Sequence, residues 1–372
     1  MKTANIFRKT LALVSAALMT LTLAACSSQT PAATAAPAAE SAAPVESAAP
    51  AESAAAEETP AEAGKIYKVG KYVDDASLDQ IEQSIQAELD KKGAELGVTF
   101  DYADYTKNGQ ADSTTLNQIA ADLIADGVDV IIPIATPAAL IMQAATEENA
   151  IPVVFSAVSD PVGAGLVDSL EAPGSNITGT SDALNVEAVI DLMLAANPDL
   201  KKLGLLYDQG QDASKSAIAA AKAYCETKGI ETVEKTGTTN DELALAADAL
   251  IAAKVDAVFT PTDNTVMTAE LAIYEKFVDA KIPHYAGADS FALNGAFCGY
   301  GVNYVTLGTS TADIAVDVLV NGAQPASTPV QIMSSGIATV NTEIASAIGL
   351  DYSAFASLCE ELKETITQES FN

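Results

Sequence analysis

Two similar stretches of sequence, 127 residues apart, constrain the fold more than any other feature. Val128 to Pro137 and Val255 to Asn264 each begin as an apolar run and end in polar side chains. In both copies a helix-length segment follows, and then an Ile-Pro pair at Ile151 or Ile282. An apolar run that ends just before a helical pattern is typical of a buried parallel strand leading into a helix N-terminus. The repeat therefore predicts two similar α/β halves.

Strand and helix patterns alternate along both halves, which predicts right-handed crossovers and a parallel sheet in each. The carboxyl ends of such strands open into a crevice where helix N-termini present unpaired N–H groups. We therefore predict an α/β fold of two doubly wound parallel-sheet lobes, joined by three crossovers, with a ligand cleft between them. The predicted N-terminal lobe contains residues 65–177 and 303–328, and the C-terminal lobe residues 178–302 and 329–372.

Three local patterns are less regular than the repeat. Apolar alternation predicts one strand over Val98 to Tyr105, and Pro161 after a capping residue predicts a short helix over Val162 to Ser169. Helical spacing of apolar residues predicts a terminal helix over Tyr352 to Ile366.

The amino-terminal segment has the pattern of an export signal. Three basic residues precede an apolar run over 11–23 that is short for a membrane span, and Leu23-Ala-Ala-Cys26 resembles a bacterial lipoprotein box. This predicts a signal peptide over residues 1–25 and a lipid on Cys26; an ordinary signal peptide with an incidental cysteine is the alternative. Residues 27–64 are almost wholly Ala, Ser, Thr, Pro and Glu, so residues 26–64 are predicted to form a disordered tether.

The charge of the chain limits its partners. Loss of residues 1–25 would leave 16 basic and 50 acidic residues, a net charge of −34. Nucleic acid and anionic lipid surfaces are disfavoured as partners of such a chain, so the lipid on Cys26 is the one membrane contact that we predict. Arg8 is the only arginine. A bound carboxylate would therefore be held by lysine, hydroxyl or backbone N–H groups.

Cysteine and histidine give little support for catalysis. Cys225, Cys298 and Cys359 have no metal-binding spacing and resemble buried apolar residues, although one bridge from Cys225 to either of the others stays open. The single histidine, His284, lies in a predicted strand. No nucleophile elbow or Gly-rich phosphate loop is present. We therefore predict a protein that is not an enzyme and has neither cofactor nor metal.

Four strings resemble the tryptophan/tyrosine ABC-transporter substrate-binding family, which has a type I periplasmic-binding-protein fold. They are Ala135-Thr-Pro-Ala-Ala139, Phe155-Ser-Ala-Val-Ser-Asp-Pro-Val-Gly163, Asn176-Ile-Thr-Gly-Thr-Ser-Asp182 and Pro261-Thr-Asp-Asn-Thr265. The resemblance covers about residues 66 to 350.

This resemblance implies a receptor anchored by lipid on the extracytoplasmic face of the cell membrane. It would bind a free amino acid, aromatic by family resemblance, and deliver it to ABC permease and ATPase subunits. Alternatives with the same fold are a receptor for a nucleoside, sugar or branched-chain amino acid, or a sensor subunit that signals to a membrane kinase.

The candidate carboxylate site is the start of the helix after the first repeated strand. Thr136 and the N–H groups of Ala138 and Ala139 can bind an anion without arginine, because a helix N-terminus carries partial positive charge. Ser156 and Ala157, at the end of the next strand, would supply further hydrogen bonds. The alternative is that Thr136 only caps its helix.

The candidate partners for an ammonium group are three carboxylates predicted to face the cleft. Asp263 leads, followed by Asp182 and then Asp289, since a desolvated ammonium needs an anionic partner. Helix capping is the alternative role of Asp263. On this prediction Asp263→Ala stays folded and loses most amino-acid binding.

Neutral and aromatic groups complete the predicted site. Thr262 and Asn264 would donate or accept neutral hydrogen bonds. The family resemblance implies an aromatic or apolar side-chain pocket, for which Tyr72, Phe291 and Tyr304 are candidates; each is equally compatible with core packing.

Overall fold

The computed structural model describes residues 64–73, 78–110, 112–333 and 335–368. The predicted signal peptide, Cys26 and, apart from Gly64, the predicted tether lie outside the described residues.

The described strands, in chain order, are β1 (Ile66–Val73), β2 (Thr99–Asp101), β3 (Thr106–Asn108), β4 (Val130–Ile134), β5 (Val153–Phe155), β6 (Ile177–Ser181), β7 (Lys202–Tyr207), β8 (Glu231–Thr236), β9 (Ala257–Thr260), β10 (His284–Ala286), β11 (Cys298–Gly301), β12 (Gln331–Ile332), β13 (Ile337–Asn341) and β14 (Glu361–Thr365). The helices are α1 (Asp79–Leu96), α2 (Ser113–Ala125), α3 (Thr136–Thr146), α4 (Val186–Ala196), α5 (Asp212–Lys228), α6 (Asn240–Ala252), α7 (Asn264–Asp279), α8 (Asp289–Leu293), α9 (Tyr304–Leu319) and α10 (Thr342–Ile348).

These strands form two sheets, one in each lobe. The first has the order β12-β6-β5-β4-β1-β2, with β3 also paired to β1, and the second has the order β14-β13-β11-β10-β9-β7-β8. The described pairings are parallel except that of β11 with β13, which is antiparallel. The chain crosses between the sheets after β6, after β11 and after β12. The prediction of two α/β lobes with mostly parallel sheets is confirmed.

The repeated stretches form the centre of each sheet because they can be buried on both faces. Every residue of β4 and of β9 is buried, and α3 and α7 start directly beyond them. The first lobe is completed by α9, which returns after the second crossing and packs on α1. Gly308 makes that contact close, because a Cβ there would lie 2.0 Å from Ser84 Oγ and 2.7 Å from the Ile81 carbonyl.

Two predicted lobe boundaries need correction. The boundary at residue 178 falls inside β6, which pairs along its length with β5 in the first sheet. The boundary at residue 329 precedes β12, which pairs with β6. Since both strands are hydrogen-bonded into the first sheet, we propose that the first lobe extends to Ser181 and again to Met333.

Three local predictions were wrong. The region from Val162 to Ser169 forms turns, and Gly165 has a φ of 75°, which interrupts a helix. The predicted terminal helix is a short 3₁₀ turn at Ser353–Ser357 followed by β14, which gains its backbone partners from β13. The single strand over 98–105 is divided into β2, a 3₁₀ turn and β3.

Candidate functional site

A cavity of about 20 Å³ lies where the ends of strands from the two lobes face each other. Its lining comes from both lobes and from the segments that cross between them. The described residues that line it are Leu78, Ala135, Thr136, Ala157, Ser159, Asp182, Ala213, Thr262, Asn264, Met267, Ala288, Phe291 and Tyr304.

Asp182 is the carboxylate in the cavity lining. It follows β6 at the first crossing and is only 5% exposed. Its Oδ1 accepts a hydrogen bond from Ser159 Oγ at 2.9 Å, and its Oδ2 accepts one from Tyr304 OH at 3.3 Å. Burial raises the pKa of the Asp182 carboxyl, whereas the two hydroxyl donors act in the opposite direction. A cationic group in the cavity would compensate the charge that burial disfavours.

The N-terminus of α3 forms another polar part of the lining. Thr136 is its first residue and is 3% exposed, and Pro137 follows. The residue before it, Ala135, has a φ of 78° and, among the described side chains, none caps this helix. An uncapped helix N-terminus attracts an anion through its N–H groups and dipole. Ala157, also in the lining, has a φ of 54°. Such backbone strain at non-glycine residues is common at binding sites.

Asp263, the leading sequence candidate, has a different environment. It is fully buried and caps α7, with Oδ1 accepting from the Val266 N–H at 3.0 Å. Its Oδ2 accepts from the Asp208 N–H at 2.8 Å and from Ser214 Oγ at 2.6 Å. Because these bonds join parts of the second lobe and Asp263 is not among the described lining residues, the geometry favours the capping role. Asp182 replaces Asp263 as our leading ammonium partner.

Three candidates from the first lobe belong to the core. Ala138 and Ala139 are fully buried in α3, and the Ala139 N–H donates to the Ala135 carbonyl at 3.1 Å. Ser156 is fully buried, and its Oγ is 2.8 Å from Thr311 Oγ1 on α9. Among the first-lobe candidates, Thr136 and Ala157 are the ones in the described cavity lining.

The other candidates have mixed positions. Thr262 and Asn264 line the cavity, as predicted from their place after β9. Asp289 begins α8 next to the lining residue Ala288 but is not itself part of the described lining; burial raises the pKa of its carboxyl. Tyr72 lies in β1, and its role stays a prediction.

Ser159 was not predicted as a site residue from the sequence. The aromatic residues of the lining were named as candidates for either the pocket or the core. Ser159 precedes Asp160-Pro161 and was interpreted as part of a helix start. Instead its hydroxyl contacts Asp182 and also lies 2.8 Å from Thr262 Oγ1 of the second lobe. Phe291 and Tyr304, named as possible pocket residues, both line the cavity. A hydroxyl in the loop that follows β5 was the available signal for Ser159.

The buried histidine belongs to a chain of hydrogen bonds inside the second lobe. His284 Nε2 lies 2.8 Å from Thr260 Oγ1, and Nδ1 lies 2.8 Å from Glu270 Oε1. This order of groups resembles a hydrolase triad. However, Thr260 is fully buried, and its hydroxyl donates to the Leu206 carbonyl at 2.9 Å. The hydroxyl therefore has neither access to a substrate nor a free proton to transfer.

Other features outside the cavity are structural. In the part of the chain that the structure describes, Cys225, Cys298 and Cys359 are free thiols. Burial raises the pKa of Cys225 to about 11, which makes it unreactive at neutral pH. The described residues contain no group of side chains that could bind a metal ion. They also contain no helix that is long and apolar enough to span a membrane.

Comparison with known proteins identifies relatives over most of the chain. The family model for "ABC transporter substrate binding protein" matches residues 67–358. A tyrosine-binding protein from Clostridioides difficile (strain R20291) is 31% identical over 284 residues, which is 76% of this chain and 80% of that protein.

Two solved structures are comparably similar in sequence. An ABC domain in complex with L-Trp from Streptococcus pneumonia is 30% identical, with a TM-score of 0.73, over 81% of this chain and 100% of that one. A ligand-free, open substrate-binding protein with adhesive properties from Clostridium difficile is 32% identical, with a TM-score of 0.63, over 82% of this chain and 100% of that one. A lower TM-score at similar identity is expected where two lobes have a different relative orientation.

Proposed function

Since this chain belongs to the family of ABC transporter substrate-binding proteins, we propose that it binds a free aromatic amino acid in the cavity between its lobes. We further propose that it acts on the extracytoplasmic face of the membrane, attached by a lipid on Cys26, and delivers the amino acid to an ABC permease and its ATPase.

The observation that carries this proposal is that the lining of one cavity contains both a buried carboxylate and an uncapped helix N-terminus. Asp182 supplies a buried carboxylate for an α-ammonium group, and the uncapped N-terminus of α3 with Thr136 suits an α-carboxylate. A zwitterionic amino acid carries both partner charges. The absence of arginine beyond Arg8 fits this division, because backbone N–H groups and a hydroxyl can hold a single carboxylate.

The apolar part of the cavity supports an aromatic side chain. Phe291 is fully buried, and Leu78 and Met267 are each 4% exposed, so the lining offers aliphatic, thioether and aromatic contacts. Sulfur and ring edges pack favourably against an aromatic ligand. Tyr304 contributes its ring to this surface while its hydroxyl donates to Asp182.

The relatives support the same ligand class. One is a tyrosine-binding protein, and the solved structure from Streptococcus pneumonia contains L-Trp. These names favour an amino acid over a nucleoside or sugar, and tyrosine and tryptophan over a branched-chain side chain.

Thermal unfolding of residues 65–372 with each of the twenty amino acids, nucleosides and sugars tests the ligand class. A ligand at a hundredfold excess over its dissociation constant stabilises the folded state by about 2.7 kcal/mol. Stabilisation by tyrosine, tryptophan or phenylalanine is expected. Stabilisation by a nucleoside or sugar alone would overturn the proposed ligand, and no stabilisation by any compound would overturn the binding function.

Membrane attachment and transport need separate tests. We expect the full chain to fractionate with membranes, to begin at a lipid-modified Cys26 by mass spectrometry, and to be released by Cys26→Ala. Loss of tyrosine or tryptophan uptake on gene deletion would support import. Uptake that stays normal while a membrane kinase loses its response would favour the sensor role.

A further inference from the structure

Two cavities meet at one hydrogen bond between the lobes. Beside the ligand cavity lies an outer cavity of about 340 Å³. The two share the lining residues Ser159, Ala213 and Thr262. The outer cavity reaches the surface, because Val162 and Ile332 in its lining are 44% and 53% exposed. The shared residues therefore stand between the ligand cavity and solvent.

Ser159 and Thr262 belong to different lobes. Ser159 follows β5 in the first sheet, and Thr262 follows β9 in the second. Their hydroxyl oxygens are 2.8 Å apart, a short hydrogen bond across the cleft. Movement of the lobes apart must break this bond, whereas the bonds within each lobe can persist.

The direction of this hydrogen bond depends on Asp182. A serine hydroxyl has one proton to donate. With Asp182 ionised, Ser159 donates that proton to Oδ1 at 2.9 Å, so Thr262 donates to Ser159. An ammonium group beside Asp182 keeps the carboxylate ionised and so fixes this arrangement. Bonds aligned in this way strengthen one another.

We propose that the Ser159–Thr262 hydrogen bond is a gate between the ligand cavity and the outer cavity, and that Asp182 positions Ser159 to hold it closed. This proposal rests on the proposed amino-acid function. The gate slows escape of the bound ligand toward the outer cavity. It has little effect on entry, because the ligand enters while the lobes are apart.

The dissociation rate constant measures whether the Ser159–Thr262 hydrogen bond retains the ligand, and a double-mutant cycle then separates this role from a direct contact of Thr262 with the ligand. We would load the full chain with radiolabelled L-tyrosine, chase with unlabelled tyrosine, and measure association separately. Thr262→Val removes the hydroxyl at similar volume and is expected to raise the dissociation rate constant about three- to tenfold, the effect of one neutral hydrogen bond. The association rate constant should change by less than about twofold. Thr262→Ser should restore slow dissociation.

A double-mutant cycle tests whether Ser159 and Thr262 act together. Once Ser159→Ala has removed the acceptor, adding Thr262→Val should raise the dissociation rate no further. Ser216→Ala is the matched control, because Ser216 is an exposed hydroxyl that lines the outer cavity without contacting the gate. Its dissociation rate constant should equal that of the wild type.

The outcomes distinguish the two proposals. If the wild type binds tyrosine and Thr262→Val has an unchanged dissociation rate constant, the gate proposal is overturned. It is also overturned if the two substitutions multiply the dissociation rate constant independently in the double variant, or if Thr262→Val lowers only the association rate constant. A wild type that retains neither tyrosine nor tryptophan would overturn the proposed function and the gate with it. If Ser159→Ala fails to fold, the Val and Ser variants of Thr262 still decide the question.

Discussion

Replacement of Asp182 by asparagine is the most informative single change, because it removes the charge and keeps the shape. The carboxylate is 5% exposed and accepts hydrogen bonds from Ser159 and Tyr304. An amide oxygen can still accept one of these bonds, so the cavity wall should persist. What disappears is the proposed anionic partner of the ligand's ammonium group.

The expected loss follows from the cost of an unpaired buried charge. Truncation of one partner in a buried, hydrogen-bonded charge pair costs about 2–5 kcal/mol of binding free energy. The upper part of this range applies where the remaining charge is fully desolvated. Because the Asp182 side chain is buried, we expect Asp182→Asn to weaken tyrosine binding about a hundredfold or more.

Although Asp182→Asn should weaken ligand binding, it should not lower the stability of the ligand-free protein. Burial raises the pKa of the folded Asp182 above its unfolded value. A raised carboxyl pKa means that the folded state loses stability as pH rises from the unfolded pKa through the folded pKa. This penalty grows as pH rises above the unfolded pKa, so at pH 7 Asp182→Asn should unfold at an equal or higher temperature than the wild type.

Calorimetric titration with L-tyrosine and thermal unfolding without ligand, both at pH 7, measure the two effects on the same samples. Asp263→Asn is the control, since it alters a buried carboxylate that is not among the described lining residues of the cavity. A folded Asp182→Asn variant that binds tyrosine with wild-type affinity would refute the assignment of Asp182. Weak binding by a variant that is also destabilised would point to a collapsed cavity instead.

Three further predictions concern pH, capping and packing. On the proposal that the ligand's ammonium group binds ionised Asp182, tyrosine affinity should fall as pH falls through the raised pKa of the Asp182 carboxyl in the ligand-free protein. Calorimetry between pH 4 and 8 should show this pH dependence in the wild type and not in Asp182→Asn. Asp263→Ala should reduce the free energy of unfolding by about 2–4 kcal/mol in urea titrations, because it removes a helix cap and leaves buried donors unpaired. A variant of wild-type stability that has lost binding would restore Asp263 as the leading ammonium partner. Gly308→Ala should lower the free energy of unfolding by about 1–3 kcal/mol, because its Cβ would lie 2.0 Å from Ser84 Oγ. This loss of stability should be smaller when Ser84→Ala is also present. Equal losses with Ser84 and with Ala at position 84 would contradict the contact.

The closed arrangement of the lobes links these predictions to the proposed role in transport. Ser159, Asp182, Tyr304 and Thr262 form one hydrogen-bonded group that joins both lobes and a crossing segment. A ligand that binds this group more tightly when the lobes are together shifts the population toward the closed form. We expect the closed form to be the one presented to the permease.

How far the site could be predicted depends on whether the signal was local. Thr136, Thr262 and Asn264 follow buried strands directly, and their positions at the cavity follow from that order along the chain. Asp263 shares the same local signal, yet its side chain turns back to the Val266 N–H of its own helix. The direction of a side chain at a helix start depends on its hydrogen-bond partners, which strand and helix patterns do not specify.

The fold, like the site, has features with a local sequence signal and features without one. Buried strands are continuous apolar runs and amphipathic helices have periodic patterns, so the two lobes could be predicted from the sequence alone. Strand β14 has no such pattern, because it is a half-exposed edge strand that exists through its pairing with β13. The contact of Asp182 with Tyr304 spans 122 residues, and that of Ser159 with Thr262 spans 103. Only tertiary structure brings such groups together, because their meeting depends on how two separately folded sheets and their crossing segments pack.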